Sequence, residues 1–309
     1  MYCQNCQCQE VLAMRARSTF QSRVVWRTML SFVSLCLCLL ATANAQILQL
    51  NQGKVQGFEY KTAKGEVAEV FLNIPYASPP VGDLRFEKPR PLDAWNNVIN
   101  GTVLGAACHP IVPEAVFTVW VRTSEDCLTL NIIKPKRKPP KSEVGFPILF
   151  WIHGGGYEMF SAVECGFESF ANSYTNKGVI VVTIQYRLGV YGFFSTGDER
   201  MPGNLGLYDM AEALKVIQFR SYYSSSYYLV FVHSNAKNFG GDPSRITVWG
   251  ESAGGAAAGQ LILSPVTRDY VARSIEMSGS PWTSWAIGSR VVKNSLELAK
   301  ISIPFEYDF

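Results

Sequence analysis

Three short apolar runs, each edged by glycine, stand out from stretches of mixed character. Pro147–Ile152 leads into His153-Gly154-Gly155-Gly156, Val179–Tyr186 follows Gly178, and Ile246–Trp249 leads into Gly250. Runs of this kind predict strands buried on both faces, as in a parallel sheet. Upstream the pattern is different. Residues 46–80 alternate around Gly53, Gly57 and Gly65, and Val67–Ala77 reads as a strand, so a small antiparallel sheet is expected there. Leu205–Ile217 has helical spacing, with Leu207, Met210, Ala211, Leu214 and Ile217 on one side. Ala256–Leu263 reads as a helix of small residues and Ile275–Ser278 as a further short strand. Alternation of strands and helices predicts an α/β fold: a central, mostly parallel sheet with flanking helices and a small N-terminal antiparallel sheet.

The connections carry their own signals. Pro79–Pro91 is rich in proline, glycine and charge and reads as a surface loop. Lys134–Lys141 is basic and broken by prolines. It is read as a loop rather than a nucleic-acid contact. No internal repeat is visible.

Composition changes the picture mainly at the N-terminus. Arg15, Arg17, Arg23 and Arg27 precede the apolar run Met29–Leu40, which is followed by Ala43-Asn44-Ala45. Basic region, apolar region and small-residue exit are the parts of a secretory signal, assigned to residues 1–45, with Met14 an alternative start. The run is short for a bilayer span, so the mature chain is expected in the secretory lumen or outside the cell, without a transmembrane segment. The rival reading is an uncleaved anchor. Removing residues 1–45 takes away four Arg and one Glu, so the formal net charge falls from +3 to zero. A net charge this small argues neither for nucleic acid nor for a membrane surface as partner, and neither is assigned. Of eight cysteines, only Cys108, Cys127 and Cys165 remain. In an oxidising compartment Cys108 and Cys127 could close a short loop, leaving Cys165 over. Cys3, Cys6 and Cys8 form only half a metal-site spacing ahead of the signal, so no metal is assigned. Asn100-Gly101-Thr102 is a glycosylation sequon in a secreted chain.

The chemistry lies at two glycine-rich strand ends. Gly250-Glu251-Ser252-Ala253-Gly254 follows a strand and precedes a helix, the wiring of a nucleophile elbow that exposes a serine hydroxyl above the sheet. An ordinary glycine-rich turn is the plainer alternative. Gly154, Gly155 and Gly156 end another buried strand and can turn bare N–H groups toward a developing oxyanion. The two motifs together, in this order, are far more specific than either alone. His153 belongs to the oxyanion loop and reads as a brace rather than a base.

With these residues in view, the chain resembles the type-B carboxylesterases, α/β-hydrolases that include the cholinesterases. The resemblance runs from about Gln52 to Lys300 and rests on Gly250–Gly255, Ser124–Asn131, Pro202–Asp209, Asn238–Pro243 and Met277–Ser280. It implies that Ser252 is the nucleophile and that Gly155, Gly156 and Ala253 supply the oxyanion hole. It implies a Cys108–Cys127 disulfide and structural ion pairs Arg85 with Glu125 and Arg187 with Asp209. It implies a small-molecule carboxylic ester as substrate and no cofactor, and leaves the oligomeric state open.

Three departures qualify it. The family's acid and histidine lie far downstream of the serine. Here the only histidines are His109, His153 and His233, none after Ser252, while Glu276, Glu297, Glu306 and Asp308 are misplaced for the acid. The C-terminal part of the fold is therefore expected to be missing from residues 46–309, and this chain to be catalytically impaired. Second, residues 219–234 (Phe219–Ser234) form a Tyr- and Ser-rich interruption, read as a non-family insertion of gene-model origin, the alternative being a surface loop. Third, Trp120 is the only tryptophan between the paired cysteines, so the aromatic signature for a quaternary ammonium is not evident. A general carboxylesterase is preferred over a cholinesterase. A secreted non-catalytic binding or adhesion relative and a lipase are the alternatives.

Overall fold

The alternating segment upstream and the apolar runs downstream belong to one sheet. The computed structural model describes residues 46–111, 121–214 and 231–302. The predicted signal at 1–45, Trp120, Ile217, residues 219–230 of the predicted insertion, and 303–309 with Glu306 and Asp308 lie outside the described residues. The strands are β1 (Gln46–Gln49), β2 (Lys54–Lys61), β3 (Val67–Pro75), β4 (Ile99–Asn100), β5 (Thr129–Pro135), β6 (Phe146–Ile152), β7 (Ile180–Ile184), β8 (Gly241–Glu251) and β9 (Arg273–Met277). Among the described residues they form a nine-stranded sheet in the order β1-β2-β3-β5-β7-β6-β8-β9, with β4 beside β2.

The sheet changes character at β7. From β1 through β2, β3 and β5 to β7 every neighbour on that path is antiparallel, whereas β7, β6, β8 and β9 run parallel. The N-terminal strands are continuous with the centre because β3 pairs with β5, Val70 opposite Ile133 and Ile74 opposite Leu130. Strand β5 takes in Lys134 and Pro135, the start of the basic segment expected to be a loop. Part of that segment's charge meets a partner locally. Lys134 pairs with Glu69 on the neighbouring strand, Lys136 pairs with Glu59 at 2.7 Å, and the Arg137 guanidinium lies 5.2 Å from the Phe146 ring centre.

Eight α-helices are described: α1 (Ala162–Cys165), α2 (Glu168–Tyr174), α3 (Gly189–Phe193), α4 (Leu205–Leu214), α5 (Val232–Asn235), α6 (Ala253–Leu263), α7 (Ser284–Ile287) and α8 (Val291–Ser302). The period of two along the central strands divides the core between the two sheet faces. Ile148, Phe150, Val182 and Val248 pack in one cluster with Met210 and Leu214 from α4 and Ala257 and Leu261 from α6. Val181, Leu149, Trp151 and Trp249 belong to the other, with Phe170 and Ala171 from α2. Helix α4 buries Leu205, Asp209, Met210, Ala213 and Leu214, while Leu207 is only half-buried. Its inward face therefore includes a charged residue, Asp209, which hydrophobic spacing does not mark. Phe231 and Val232, at the end of the interruption expected at 219–234, are buried in the first cluster. No helix among the described residues is long and apolar enough to cross a membrane.

Candidate active site

Strand β8 runs out at Glu251 and α6 begins at Ala253, which leaves Ser252 alone in the turn. Its backbone sits at φ 54°, ψ −120°. A non-glycine residue there is strained by about 1–3 kcal/mol and persists only where its surroundings force it. Two backbone bonds do so. The Ser252 N–H donates to the Met277 carbonyl at 2.7 Å, tying the turn to the end of β9. The Ser252 carbonyl accepts from the Ala256 N–H at 3.0 Å, in the first turn of α6. The turn closes only on glycine. A Cβ on Gly250 would collide with the Gly254 carbonyl, and one on Gly254 would collide with the Ile152 carbonyl oxygen.

That second contact shows how the two motifs meet. Ile152 ends β6, and the next residues are the glycine loop. A Cβ on Gly154 would fall 3.2 Å from the Ser252 Cβ, so the loop lies directly against the serine. Gly155 and Gly156 adopt φ 96° and 65°, and Gly156 is exposed. Their amides donate to no group among the described residues. Ala253 is the first residue of α6, where the N–H has no partner within the helix. The loop and the start of α6 thus carry amides with no acceptor among the described residues, and Gly154 of the loop lies against the half-buried Ser252; free backbone donors of this kind can stabilise charge on an oxygen.

His153 is buried beneath this loop. Its ring stacks on Tyr186 at 4.3 Å, its Nδ1 lies 3.0 Å from the Gly154 carbonyl, and the Tyr186 hydroxyl donates to the His153 carbonyl at 2.8 Å. Burial pushes its pKa down to about 4, so the ring is neutral at physiological pH. Its Nε2 is buried without a partner among the described residues. His109 lies against Tyr191 at 5.7 Å, and His233, in α5, against Tyr270 at 5.4 Å. Glu276 accepts from Ser274 on β9, and Glu297 faces Lys293 at 3.8 Å on α8. Among the described residues no histidine or carboxylate hydrogen-bonds the Ser252 hydroxyl. The structure sets Gly154 of the loop against Ser252, with Ala253 next in the chain, and among the described residues no base or acid hydrogen-bonds the serine hydroxyl.

The other singled-out residues lie around this centre. Cys108 and Cys127 form a disulfide, and Cys165 is free and half-buried. Arg85 meets Glu125 through two hydrogen bonds of 2.5 and 2.8 Å at the surface. Arg187 follows β7 and is buried, clamping Asp209 of α4 through three bonds of 2.7, 2.8 and 3.0 Å and donating to the Glu87 carbonyl. Asn100 is exposed, and the Thr102 hydroxyl donates to its side-chain oxygen at 2.7 Å. Among the described residues no cluster of three or more metal-ligand side chains is present.

Two contributors to the site escape a reading of the sequence alone. Gly279 packs so closely that a Cβ there would collide with the Ser252 carbonyl oxygen, and Tyr157 of the glycine loop reaches Gln260 of α6. The first is visible in the sequence only as one glycine in Met277–Ser280. The second spans 103 residues and leaves no local trace.

A strand, a strained serine and a helix, set beside a glycine loop from the neighbouring strand, define an α/β-hydrolase. Comparison with known proteins narrows this. A model of the carboxylesterase family matches residues 44–222 and 225–303, the break falling inside the Tyr- and Ser-rich stretch. Gut esterase 1 of Caenorhabditis elegans is 49% identical over 256 residues, which cover 82% of this chain and 41% of that protein. Carboxylesterase 1E of Rattus norvegicus is 38% identical over 261 residues, 81% of this chain and 42% of that protein. Liver carboxylesterase 1 of Oryctolagus cuniculus is 36% identical over 294 residues, 90% and 48% respectively. The chain belongs to the carboxylesterase family, and it spans less than half the length of these relatives.

Proposed function

We propose that this chain carries the nucleophile and oxyanion half of a carboxylic ester hydrolase. In the reaction, Ser252 Oγ adds to the ester carbonyl as its proton passes to a base. The tetrahedral oxyanion takes hydrogen bonds from the amides of Gly155, Gly156 and Ala253, and the alcohol leaves to give an acyl-serine that water hydrolyses. Losing one such donor costs about 3–4 kcal/mol of transition-state stabilisation in a comparable hole. The observation that carries the reading is the strained Ser252 held against the glycine loop.

Within residues 1–309 no histidine follows Ser252, and the three upstream are engaged elsewhere. Residues 1–309 tested by themselves would have to work without that base, on the residual catalysis of binding and oxyanion stabilisation, about 10³–10⁴-fold over water. The signal pattern at 1–45, the disulfide and the sequon at Asn100 support passage through the secretory pathway, with glycan on Asn100.

A fluorophosphonate probe and a short-chain nitrophenyl ester test the chemistry. The expected result is slow labelling at Ser252, abolished by Ser252→Ala, with ester turnover far below that of a complete esterase. Absence of Ser252 labelling, or equal labelling of the Ser252→Ala variant, refutes the assignment.

A further inference from the structure

The glycine loop is followed at once by a residue in an unusual position. Tyr157 has φ 63°, a left-handed conformation that a bulky residue adopts only under constraint. It is buried, and three contacts hold it. Its ring packs on Phe193 at 4.9 Å, its carbonyl accepts from the Gly189 N–H at 2.8 Å, and its hydroxyl donates to Gln260 Oε1 at 3.2 Å. The first two anchor it to α3. The third crosses to α6, the helix that starts at the serine. Gln260 is eight residues beyond Ser252, and its amide nitrogen reaches toward the Ala286 carbonyl at 3.5 Å, which fixes which end of the side chain faces Tyr157.

We infer that the Tyr157–Gln260 hydrogen bond is a clamp that sets the register between the oxyanion loop and the nucleophile helix. This rests on the assignment of Ser252 and the glycine amides to one site. Gly155 and Gly156 carry no side chain, and their N–H groups must stay unbonded to serve an oxyanion. The Gly155 carbonyl accepts from Glu158 and Met159, which shapes the loop internally and does not tie it to α6. Helix α6 is fixed to the sheet by its alanine face and by Ser252 itself. Among the described residues, the one side-chain bond from the loop to that helix is therefore placed to transmit the position of α6 to the donors. Burial raises the Tyr157 phenol well above its ordinary pKa, so it stays protonated and remains a donor at physiological pH. The same pair lines a cavity of about 250 Å³ with Gly156, Phe193 and Trp285, so the clamp borders open volume on one side.

Tyr157 and Gln260 are thus positioning residues. The test is hydrogen–deuterium exchange, read by mass spectrometry on the peptide spanning residues 154–160. It compares the unaltered chain with Tyr157→Phe, Gln260→Leu, Gln260→Glu and the Tyr157→Phe/Gln260→Leu double variant. Each single removal of the bond should speed exchange of this peptide about five-fold, the factor for one lost hydrogen bond. The double variant should exchange no faster than either single, and Gln260→Glu, which keeps an acceptor, should stay near the unaltered rate. Unchanged exchange in the single variants, additive effects in the double, or Gln260→Glu as fast as Gln260→Leu overturns the clamp. So does an unaltered chain whose 154–160 peptide exchanges at the rate of unfolded chain. Fluorophosphonate labelling of the same set separates this from the serine assignment. Failure of the unaltered chain to label refutes the nucleophile while exchange still decides the clamp. Equal labelling rates for the unaltered chain and Tyr157→Phe refute the clamp's hold on the oxyanion donors.

Discussion

Strands β7 and β9 are each five residues long and lie in the same parallel half of the sheet, yet their surroundings are opposite. Every residue of β7 is buried, while four of the five in β9 are exposed and the fifth is half-buried. Strand β7 has a partner on each edge, β5 and β6, and helices pack on both its faces. Strand β9 has β8 on one edge and no partner on the other among the described residues. Ile275 and Met277 of β9 stay exposed, as do Trp282, Trp285, Ile287 and Ile301 further along the chain. Local propensity does not account for this. Neighbours decide it, and among the described residues the outer edge of β9 keeps its backbone groups free to pair.

The contrast can be broken most severely in the interior. Asp209→Ala should destabilise the fold by about 3–5 kcal/mol, because it leaves the Arg187 guanidinium buried without its carboxylate. Chemical denaturation would measure it, and a loss below about 1 kcal/mol would show that the pair is not what joins β7 to α4. Ile184→Ala on β7 should cost about 2–5 kcal/mol, whereas Ile275→Ala on β9 should stay within about 0.5 kcal/mol. Equal losses in paired melts would erase the distinction between the strands.

A proton probes the same interior. His153 has its pKa lowered from 6.5 to about 4 by burial, so between those values the unfolded chain takes up a proton that the folded chain refuses. This contribution should be complete above pH 6.5 and fall away as pH drops toward 4, by about 3 kcal/mol in all. His153→Gln should flatten that part of the pH–stability curve, and an unchanged slope would place the titration elsewhere. At the open edge, Ile275→Lys should lower concentration-dependent association without moving the melting temperature, as followed by light scattering. The smallest effect belongs to the surface. Arg85→Ala should leave the melting midpoint within the scatter of replicate scans, because water screens its pair with Glu125.

Legibility from sequence follows the same division between local and distant. Ser252 and Gly154–Gly156 are legible because each is a strand end whose neighbours in sequence are also its neighbours in space. The apolar runs of β6, β7 and β8 are legible because burial on both faces leaves few polar positions. Strand β5 is not, since its end merges with the prolines and lysines that follow. Continuity between the antiparallel strands and the centre depends on the β3–β5 pairing, which no local pattern encodes. The pairing of Asp209 with Arg187, 22 residues away, came only through family resemblance, because spacing along α4 gives no sign of a buried carboxylate. The Tyr157–Gln260 bond is more distant still. Helix α8 turns Val291, Ser295 and Ala299 inward at helical spacing, yet Val292, Leu296, Leu298 and Ile301 stay exposed.

The bond from the Ser252 N–H to the Met277 carbonyl also has a bearing on synthesis at the ribosome. The reactive turn is specified by residues 250–255, but its shape is completed by residues made later, Met277 and then Gly279, which packs against the serine carbonyl. A nascent chain that has just released its serine motif therefore holds an unfinished turn. The serine's strained geometry thus leans on a strand that leaves the ribosome after it, and a chain cut before Met277 lacks that acceptor.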